Sequence, residues 1–144
     1  MIHANTRTAL QQYKNLSTST QVATATPHRL IQMLLDGALE KIRLARSFMQ
    51  QGRLGEKAKH ITWAISIIDG LRISLDKEAG GSLAQNLEDL YDYMARRLIE
   101  TNLRNDPAIL DEVASLLGQI KEAWDAIGDQ VNAPQPPRST SACV

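Results

Sequence analysis

The sequence is poor in aromatic residues, in cysteine and in net charge. Phe, Trp and Tyr make up 4% of its 144 residues, and β-branched runs are scarce, which argues against a β-sheet protein. A single cysteine, Cys143, excludes an intramolecular disulfide. Sixteen basic residues balance sixteen acidic ones, so charge gives no reason to expect nucleic acid or an acidic membrane as partner.

Long apolar runs are also missing. No uninterrupted stretch approaches the roughly 18 apolar residues of a membrane span. The N-terminal "MIHANTRTALQQYKNLSTSTQ" lacks the apolar centre of a secretory signal. We therefore expect a soluble, cytoplasmic protein that does not insert into a membrane.

The residues that are abundant favour α-helix, and local signals place the first two helices. Leu, Ile, Ala, Gln, Glu, Lys and Arg dominate the composition. "ATP" predicts Thr26 as an N-cap and Pro27 as the first helical residue. This helix should run to about Gln51, and a second should run from Leu54 or the residue before it to about Asp76.

Two further signals place the third and fourth helices. The "AGG" at 79–81 predicts a chain break. "SLAQ" then predicts a capping box, with Ser82 as N-cap of a third helix that reaches about Asn105. "DP" predicts Asp106 as N-cap of a fourth helix, which fades near Val131.

Short connections between these helices predict an all-α protein with an antiparallel, up-and-down four-helix bundle. The bundle should cover 26–131 as one domain. Residues 1–25 form a separate N-terminal segment. The Pro- and Ser-rich residues 132–144 should be a disordered tail.

Apolar residues exceed what a bundle core needs. In "IQMLLDGALEKIRLA" the polar residues occupy only about a third of the helix circumference, whereas one apolar arc of a little over 100° suffices. The apolar and glycine residues that lie off the core stripes are Met33, Gly37 and Leu44 in the first helix, Trp63, Ile67 and Gly70 in the second, and Ile99 and Leu103 in the third. Either the first two helices touch more neighbours, or these residues form a surface for a partner, with side chains partly exposed when the partner is absent.

The histidines and carboxylates do not have the spacing of a catalytic or metal-binding site. His3, His28 and His60 share no helical face, and no Glu-x-x-His pair is present. The core stripes carry no carboxylate, and "AGGS" is too short to cradle a phosphate. The sequence therefore predicts no enzyme, no metal site and no cofactor.

Several stretches carry a resemblance to a known family. They are Tyr13 with "VATATP", "LIQMLLDGAL", "SLDKEAGGSLAQNLEDLYDYMARRL", and "NDPAILDEVASLL" followed by "AW". In this order the chain resembles the flagellar secretion chaperone FliS family from about Ala9 to Ile127. Leu35 replaces the tyrosine that is usual after "ML", and Thr26 replaces the usual serine before proline.

The resemblance implies a cytoplasmic chaperone that binds the disordered C-terminal segment of flagellin in an apolar groove. Because the surplus faces of the first two helices can hold only one wrapped chain at a time, we expect a one-to-one complex. The chaperone would prevent premature polymerisation and aid delivery to the flagellar type III export apparatus, with export-gate components as candidate further partners. In the family the N-terminal segment is a movable cap over the groove. The expected groove or cap residues are Tyr13, Val22, Met33, Leu35, Gly37, Leu44, Trp63, Ile67, Gly70, Tyr91, Ile99 and Leu103.

Two other interpretations stay open at the level of sequence. A structural subunit could use the surplus apolar face to close a permanent homo-oligomer. An enzyme with an unrecognised site would need a polar constellation inside the bundle, which the stripes do not offer. A chaperone, unlike a structural subunit, should stay soluble without its client.

Overall fold

The computed structural model describes residues 24–132, and this part of the chain contains four long helices. They are α1 (Pro27–Gln50), α2 (Leu54–Ile73), α3 (Lys77–Arg104) and α4 (Pro107–Asn132). Each helix packs on the next, and α4 packs back on α1, so the bundle closes in a ring. The predicted all-α four-helix bundle is confirmed, although α2 ends at Ile73 rather than near Asp76. The expected cap segment (1–25) and tail (132–144) lie almost wholly outside the described residues.

Side-chain caps begin α1 and α4 where the sequence places them. The Thr26 hydroxyl accepts a hydrogen bond from the backbone N–H of Arg29 at 3.1 Å, and a proline follows it. The Asp106 carboxylate accepts from the backbone N–H of Ala108 at 3.0 Å. Each cap satisfies a backbone donor that has no partner inside its helix.

The turn between α3 and α4 is fixed by a buried lysine. Asn105 has φ of 52°, the left-handed conformation that commonly ends a helix, and its N–H donates to the carbonyl of Thr101 at 2.9 Å. The Lys57 ammonium donates to the Asn105 side-chain oxygen at 2.5 Å and to the Asn102 carbonyl at 3.4 Å. Burial lowers the pKa of Lys57. This contact joins the start of α2 to the end of α3.

The start of α3 differs from the sequence prediction. The helix begins at Lys77, and Asp76 caps it by accepting from the N–H of Ala79 at 3.1 Å. Gly81, with φ of 54° and ψ of −129°, interrupts the helical geometry one turn later. Ser82 as the helix-starting cap is therefore wrong, because Asp76 offers the same chemistry one and a half turns earlier. The predicted break at 79–81 is present as a kink inside α3.

The core lies on the bundle axis and receives side chains from all four helices. Leu34, Ile68, Met94, Leu98 and Val113 are fully or almost fully buried there. Burying a side chain of this size stabilises the fold by about 1.5 to 3 kcal/mol relative to exposing it. Within residues 24–132, no helix has an apolar stretch long enough to cross a membrane.

A polar clasp supports the α3–α4 interface, which is the least extensive of the four helix pairs. The Tyr93 hydroxyl donates to one oxygen of Glu112 at 2.5 Å, and the Arg97 guanidinium donates to the other at 2.9 Å. These two bonds, the tyrosine's first, lower the pKa of Glu112. The clasp therefore supplies a polar connection where apolar packing between helices is sparse.

Candidate functional site

An apolar cavity of about 630 Å³ opens at one end of the bundle. It lies where α1 and α3 begin and where α2 and α4 end, so all four helices contribute to its wall. Its apolar lining includes Ile31, Leu35, Leu71, Leu87, Tyr91 and Ile120. Cavities of this size and apolar character are typical of ligand or peptide-anchor sites.

One wall of the cavity is a histidine–tryptophan pair that ties α1 to α4. The rings of His28 and Trp124 stack with centroids 4.8 Å apart and planes 6° from parallel. His28 Nε2 and the Trp124 carbonyl oxygen are 2.7 Å apart, and the Trp124 indole N–H donates to the His28 carbonyl at 3.0 Å. Gly128 leaves room for this pair, since a Cβ there would overlap the His28 ring. A ring stack and two hydrogen bonds therefore hold the wall together, in space that Gly128 leaves open.

The rim of the cavity keeps large apolar side chains in contact with water. Leu83 of α3 is 65% exposed and Ile127 of α4 is 45% exposed, and both line the opening. Leu87 and Leu75, between the rim and the floor, are half-buried. A contiguous apolar surface of this kind usually marks a binding site on a soluble protein.

The cavity is suited to apolar contact rather than to chemistry. Its polar members are few: Thr26, His28, Ser74, Asp76 and the hydroxyl of Tyr91. On the floor, burial raises the pKa of Tyr91 to about 12, so this tyrosine is neutral at ordinary pH. Within residues 24–132, no group of three His, Cys, Asp or Glu side chains is placed to hold a metal ion. The arrangement can bury apolar side chains of a partner.

Two of the site residues expected from the sequence meet in this cavity. Leu35 of α1 is fully buried on its floor, and Tyr91 of α3 is 4% exposed beside it. Tyr13 and Val22, the expected cap residues, lie outside the described residues.

Four expected site residues are buried, and the expectation that Met33 and Ile67 are partly exposed is wrong. Each of these two is 1% exposed and belongs to the core cluster, and Gly37 and Gly70 are buried as well. The physical reason is that the apolar residues off the core stripe of α1 face those off the core stripe of α2. The α1–α2 interface is the most extensive in the bundle.

Two ring contacts establish how these faces meet. The Lys41 ammonium lies 3.5 Å from the centroid of the Trp63 ring in α2. Lys41 is one helical turn after Gly37. The rings of Phe48 and His60 lie 5.0 Å apart one to two turns further along. Continuing this antiparallel register places Gly37 level with Ile67, so a small residue faces a large one. Trp63, like Leu44 on α1, stays half-buried at the edge of this interface.

Ile99 and Leu103 form a separate exposed patch on α3. Ile99 is 54% exposed and Leu103 is 81% exposed. Leu103 lies twelve residues after Tyr91, which corresponds to about 18 Å along the helix. The expected site residues are thus distributed over a cavity, a buried interface and a distant surface patch.

Sequence reasoning missed the cavity's other members. Leu83, Leu87, Ile120, Trp124 and Ile127 have the helical spacing of core residues, which gives no sign that they line a cavity. For Leu83 and Ile127 a position near a helix end was the available signal, since a stripe at the end of a bundle has fewer neighbours to cover it. His28 and Trp124 are 96 residues apart, and no local pattern indicates that they pair.

The chain matches the family described as flagellar protein FliS over residues 9–131. It is 50% identical to the flagellar secretion chaperone FliSB of Pseudomonas aeruginosa over 119 residues, which cover 83% of this chain and 94% of that protein. It is 44% identical to the flagellar secretion chaperone FliS of Salmonella typhimurium over 128 residues, covering 88% and 95%. A more distant relative, the flagellar secretion chaperone FliS of Bacillus subtilis, is 35% identical over 103 residues, covering 72% and 76%. This chain therefore belongs to the FliS family of flagellar proteins.

Proposed function

We propose that the protein is a cytoplasmic, non-enzymatic export chaperone for flagellin. It binds the disordered C-terminal segment of flagellin one-to-one, prevents premature polymerisation, and aids delivery of flagellin to the flagellar type III export apparatus. Family membership supports the chaperone role, since the relatives carry the name flagellar secretion chaperone. The identity of the client follows from the resemblance described above.

The observation that carries this proposal is the apolar cavity with its exposed rim. An amphipathic helix docks in a groove through anchors spaced at i, i+3, i+4 and i+7. Anchor side chains of the client would fill the cavity against Leu35 and Tyr91 and cover Leu83 and Ile127 at the rim. Covering these two rim side chains removes apolar surface from water, which supplies the driving force for binding.

The second exposed patch supports a client that wraps along the bundle. Ile99 and Leu103 lie about 18 Å or less beyond the cavity floor along α3. A disordered segment can span that distance and contact both surfaces, at the cost of ordering itself on binding. One chain that occupies both surfaces leaves no equivalent site for another, which is the basis for a one-to-one complex.

The proposal includes a cap formed by residues 1–25, with Tyr13 and Val22 as its contacts. Thr26 and Pro27 line the cavity mouth, so the chain enters α1 at the place that a cap would cover. Covering the rim in the absence of client would keep the free chaperone soluble. Export-gate components are the candidate partners of the loaded chaperone.

A matched pair of leucine substitutions tests the site. We expect Leu83→Ser to weaken binding of a flagellin C-terminal peptide about five-fold or more, since loss of an interface anchor costs about 1 kcal/mol or more. Leu54→Ser is the control, because Leu54 is 48% exposed at the opposite end of α2 from the cavity. Both variants should fold, since neither side chain is buried. Titration calorimetry measures the affinities.

The outcomes separate the proposal from its alternative. Selective loss with Leu83→Ser supports the cavity as the client site. Equal affinities for both variants and the wild type would exclude it. A client-free protein that sediments as a stable oligomer, and that Leu83→Ser converts to monomer, would instead favour a structural homo-oligomeric subunit.

A further inference from the structure

A short segment of α3 forms part of the cavity wall and is separated from the rest of its helix. The turn Lys77–Gly80 precedes Gly81, whose φ of 54° and ψ of −129° lie outside the helical region. That combination is accessible to glycine and strained for other residues. The turn is capped independently: the Asp76 carbonyl accepts from the N–H of Gly80 at 2.8 Å, and its carboxylate accepts from the N–H of Ala79.

This turn borders the cavity. Asp76, Ala79 and Gly80 are in the cavity wall, next to Ala84 of the long part of α3. A Cβ added to Gly80 would come within 2.8 Å of the Cβ of Ala84, so the turn packs directly on the first turn of the helix that follows. The two consecutive glycines thus allow close packing and a change of direction.

One ion pair connects the turn to the body of the helix across Gly81. The Lys77 ammonium lies 2.8 Å from a carboxylate oxygen of Glu88. Eleven residues of an unbroken α-helix rise about 16 Å, which is farther than the two side chains reach together. The contact therefore depends on the fold-back at Gly81. Both side chains are partly exposed, and ion pairs of this kind contribute little to stability.

The cavity is small compared with an amphipathic client helix. A volume of about 630 Å³ is in the range that encloses one small ligand, or a few side chains. A client helix of two or more turns, with anchors along its length, needs a longer groove. The turn Lys77–Gly80 is in the cavity wall at the start of α3, where the ion pair with Glu88 and the packing of Gly80 on Ala84 hold it against the body of the helix.

We propose that Lys77–Gly80 is a flap that swings about Gly81 to lengthen the cavity for an amphipathic client helix, with the Lys77–Glu88 ion pair as its latch. The inference rests on the proposed function for the identity of the client, but the hinge itself does not depend on it. The closed flap is the state in the structure. The open flap is the state that the client selects, so weakening the latch raises the open fraction and the client's apparent affinity by the same factor.

Spin-label distances test the flap without the client. Labels at Glu78→Cys and Glu122→Cys, in a Cys143→Ser background, report on the flap relative to α4, since both positions are exposed. Labels at Asp89→Cys and Glu122→Cys report on the body of α3 as a reference. We expect Lys77→Ala to raise the population at the longer flap distance about two- to five-fold, the range that loss of one partly exposed ion pair allows. The reference distance should not change.

Arg46→Ala is the control for the latch. It removes an exposed ion pair of Arg46 with Asp111, at the opposite end of the bundle, and should leave the flap distances unaltered. An unchanged distance distribution in Lys77→Ala would overturn the proposal.

Calorimetry with a flagellin C-terminal peptide then tests the coupling. Lys77→Ala should bind the peptide tighter by the factor found for the open population, whereas Arg46→Ala should bind like the wild type. A shifted population with unchanged affinity contradicts the flap as a gate for the client. Wild-type protein that binds no peptide, while Lys77→Ala still shifts the distances, refutes the proposed function and leaves the hinge standing.

Discussion

Replacing Gly128 by alanine tests whether the histidine–tryptophan wall is as tightly built as its geometry indicates. A Cβ at Gly128 would overlap the His28 ring, with carbon and nitrogen atoms closer than contacting side chains approach. The ring cannot move away freely, because it stacks on Trp124 and both residues exchange hydrogen bonds at 2.7 and 3.0 Å. We therefore expect Gly128→Ala to destabilise the protein although alanine is the better helix former.

Three contributions determine how far Gly128→Ala changes the free energy of unfolding. Alanine in place of glycine inside a helix stabilises by about 0.5 to 1 kcal/mol. Overpacking against His28 costs about 1 to 3 kcal/mol. If the ring shifts, the two hydrogen bonds with Trp124 are weakened, each worth about 0.5 to 1.5 kcal/mol. With both hydrogen bonds lost, the net expectation is a loss of about 1 to 5 kcal/mol in the free energy of unfolding, measured by urea denaturation.

Gly118, on the same helix, provides a matched control. A Cβ there meets no atom within 4 Å, so Gly118→Ala should stabilise by about 0.5 to 1 kcal/mol. A second control places Gly128→Ala in a His28→Ala background, where the obstacle is gone and the substitution should again stabilise. If Gly128→Ala and Gly118→Ala stabilise the wild type equally, the reasoning about the wall is refuted.

Three further predictions follow from the packing and the pKa shifts. Met33→Ala and Ile67→Ala should each cost about 2 to 5 kcal/mol in urea denaturation, because both side chains are core; losses below about 1 kcal/mol would restore them as surface residues. Burial raises the pKa of Tyr91 to about 12, so the stability that the neutral tyrosine contributes is lost as pH rises from 10 toward that value. Tyr91→Phe should therefore lose less melting temperature than the wild type between pH 10 and 12. Parallel curves for variant and wild type would contradict this. Glu112→Gln should lower the melting temperature at pH 7, and the difference should shrink as pH falls below about 4.5 through the lowered pKa of this carboxyl. A difference that is constant down to pH 2 would exclude the carboxylate as the cause.

Helix starts that depend on one capping residue and a proline could be predicted from the sequence. Thr26 with Pro27, and Asp106 with Pro107, each combine a side-chain acceptor with a residue that needs no donor partner. The start of α3 could not be predicted in the same way. Asp76 and Ser82 both offer caps, and nothing in the local sequence ranks one above the other.

The surplus apolar residues show what periodicity can and cannot establish. Periodicity places Met33 and Ile67 off the core stripes of their helices, yet both belong to the core cluster. Periodicity gives the direction of a side chain around its own helix but not what lies opposite, and here a neighbouring helix lies there. Lys41 and His60 illustrate the same limit, since both are buried at the α1–α2 interface although polar residues are typically on solvated faces.

The candidate site was predictable only in part. Leu35 and Tyr91 were identified through the family resemblance and meet in the cavity. The cavity itself depends on where four helix ends stop relative to one another, which is a property of tertiary packing. The exposure of Leu83 and Ile127 follows from that packing and not from their spacing in the sequence.

Titration calorimetry of the full chain with the C-terminal segment of flagellin, repeated at several temperatures, is the direct test of client binding. We expect one segment bound per chaperone, a negative heat-capacity change from apolar burial, and helix gained by the segment in circular dichroism. Two segments per chaperone, no binding, or binding without a heat-capacity change would contradict this expectation.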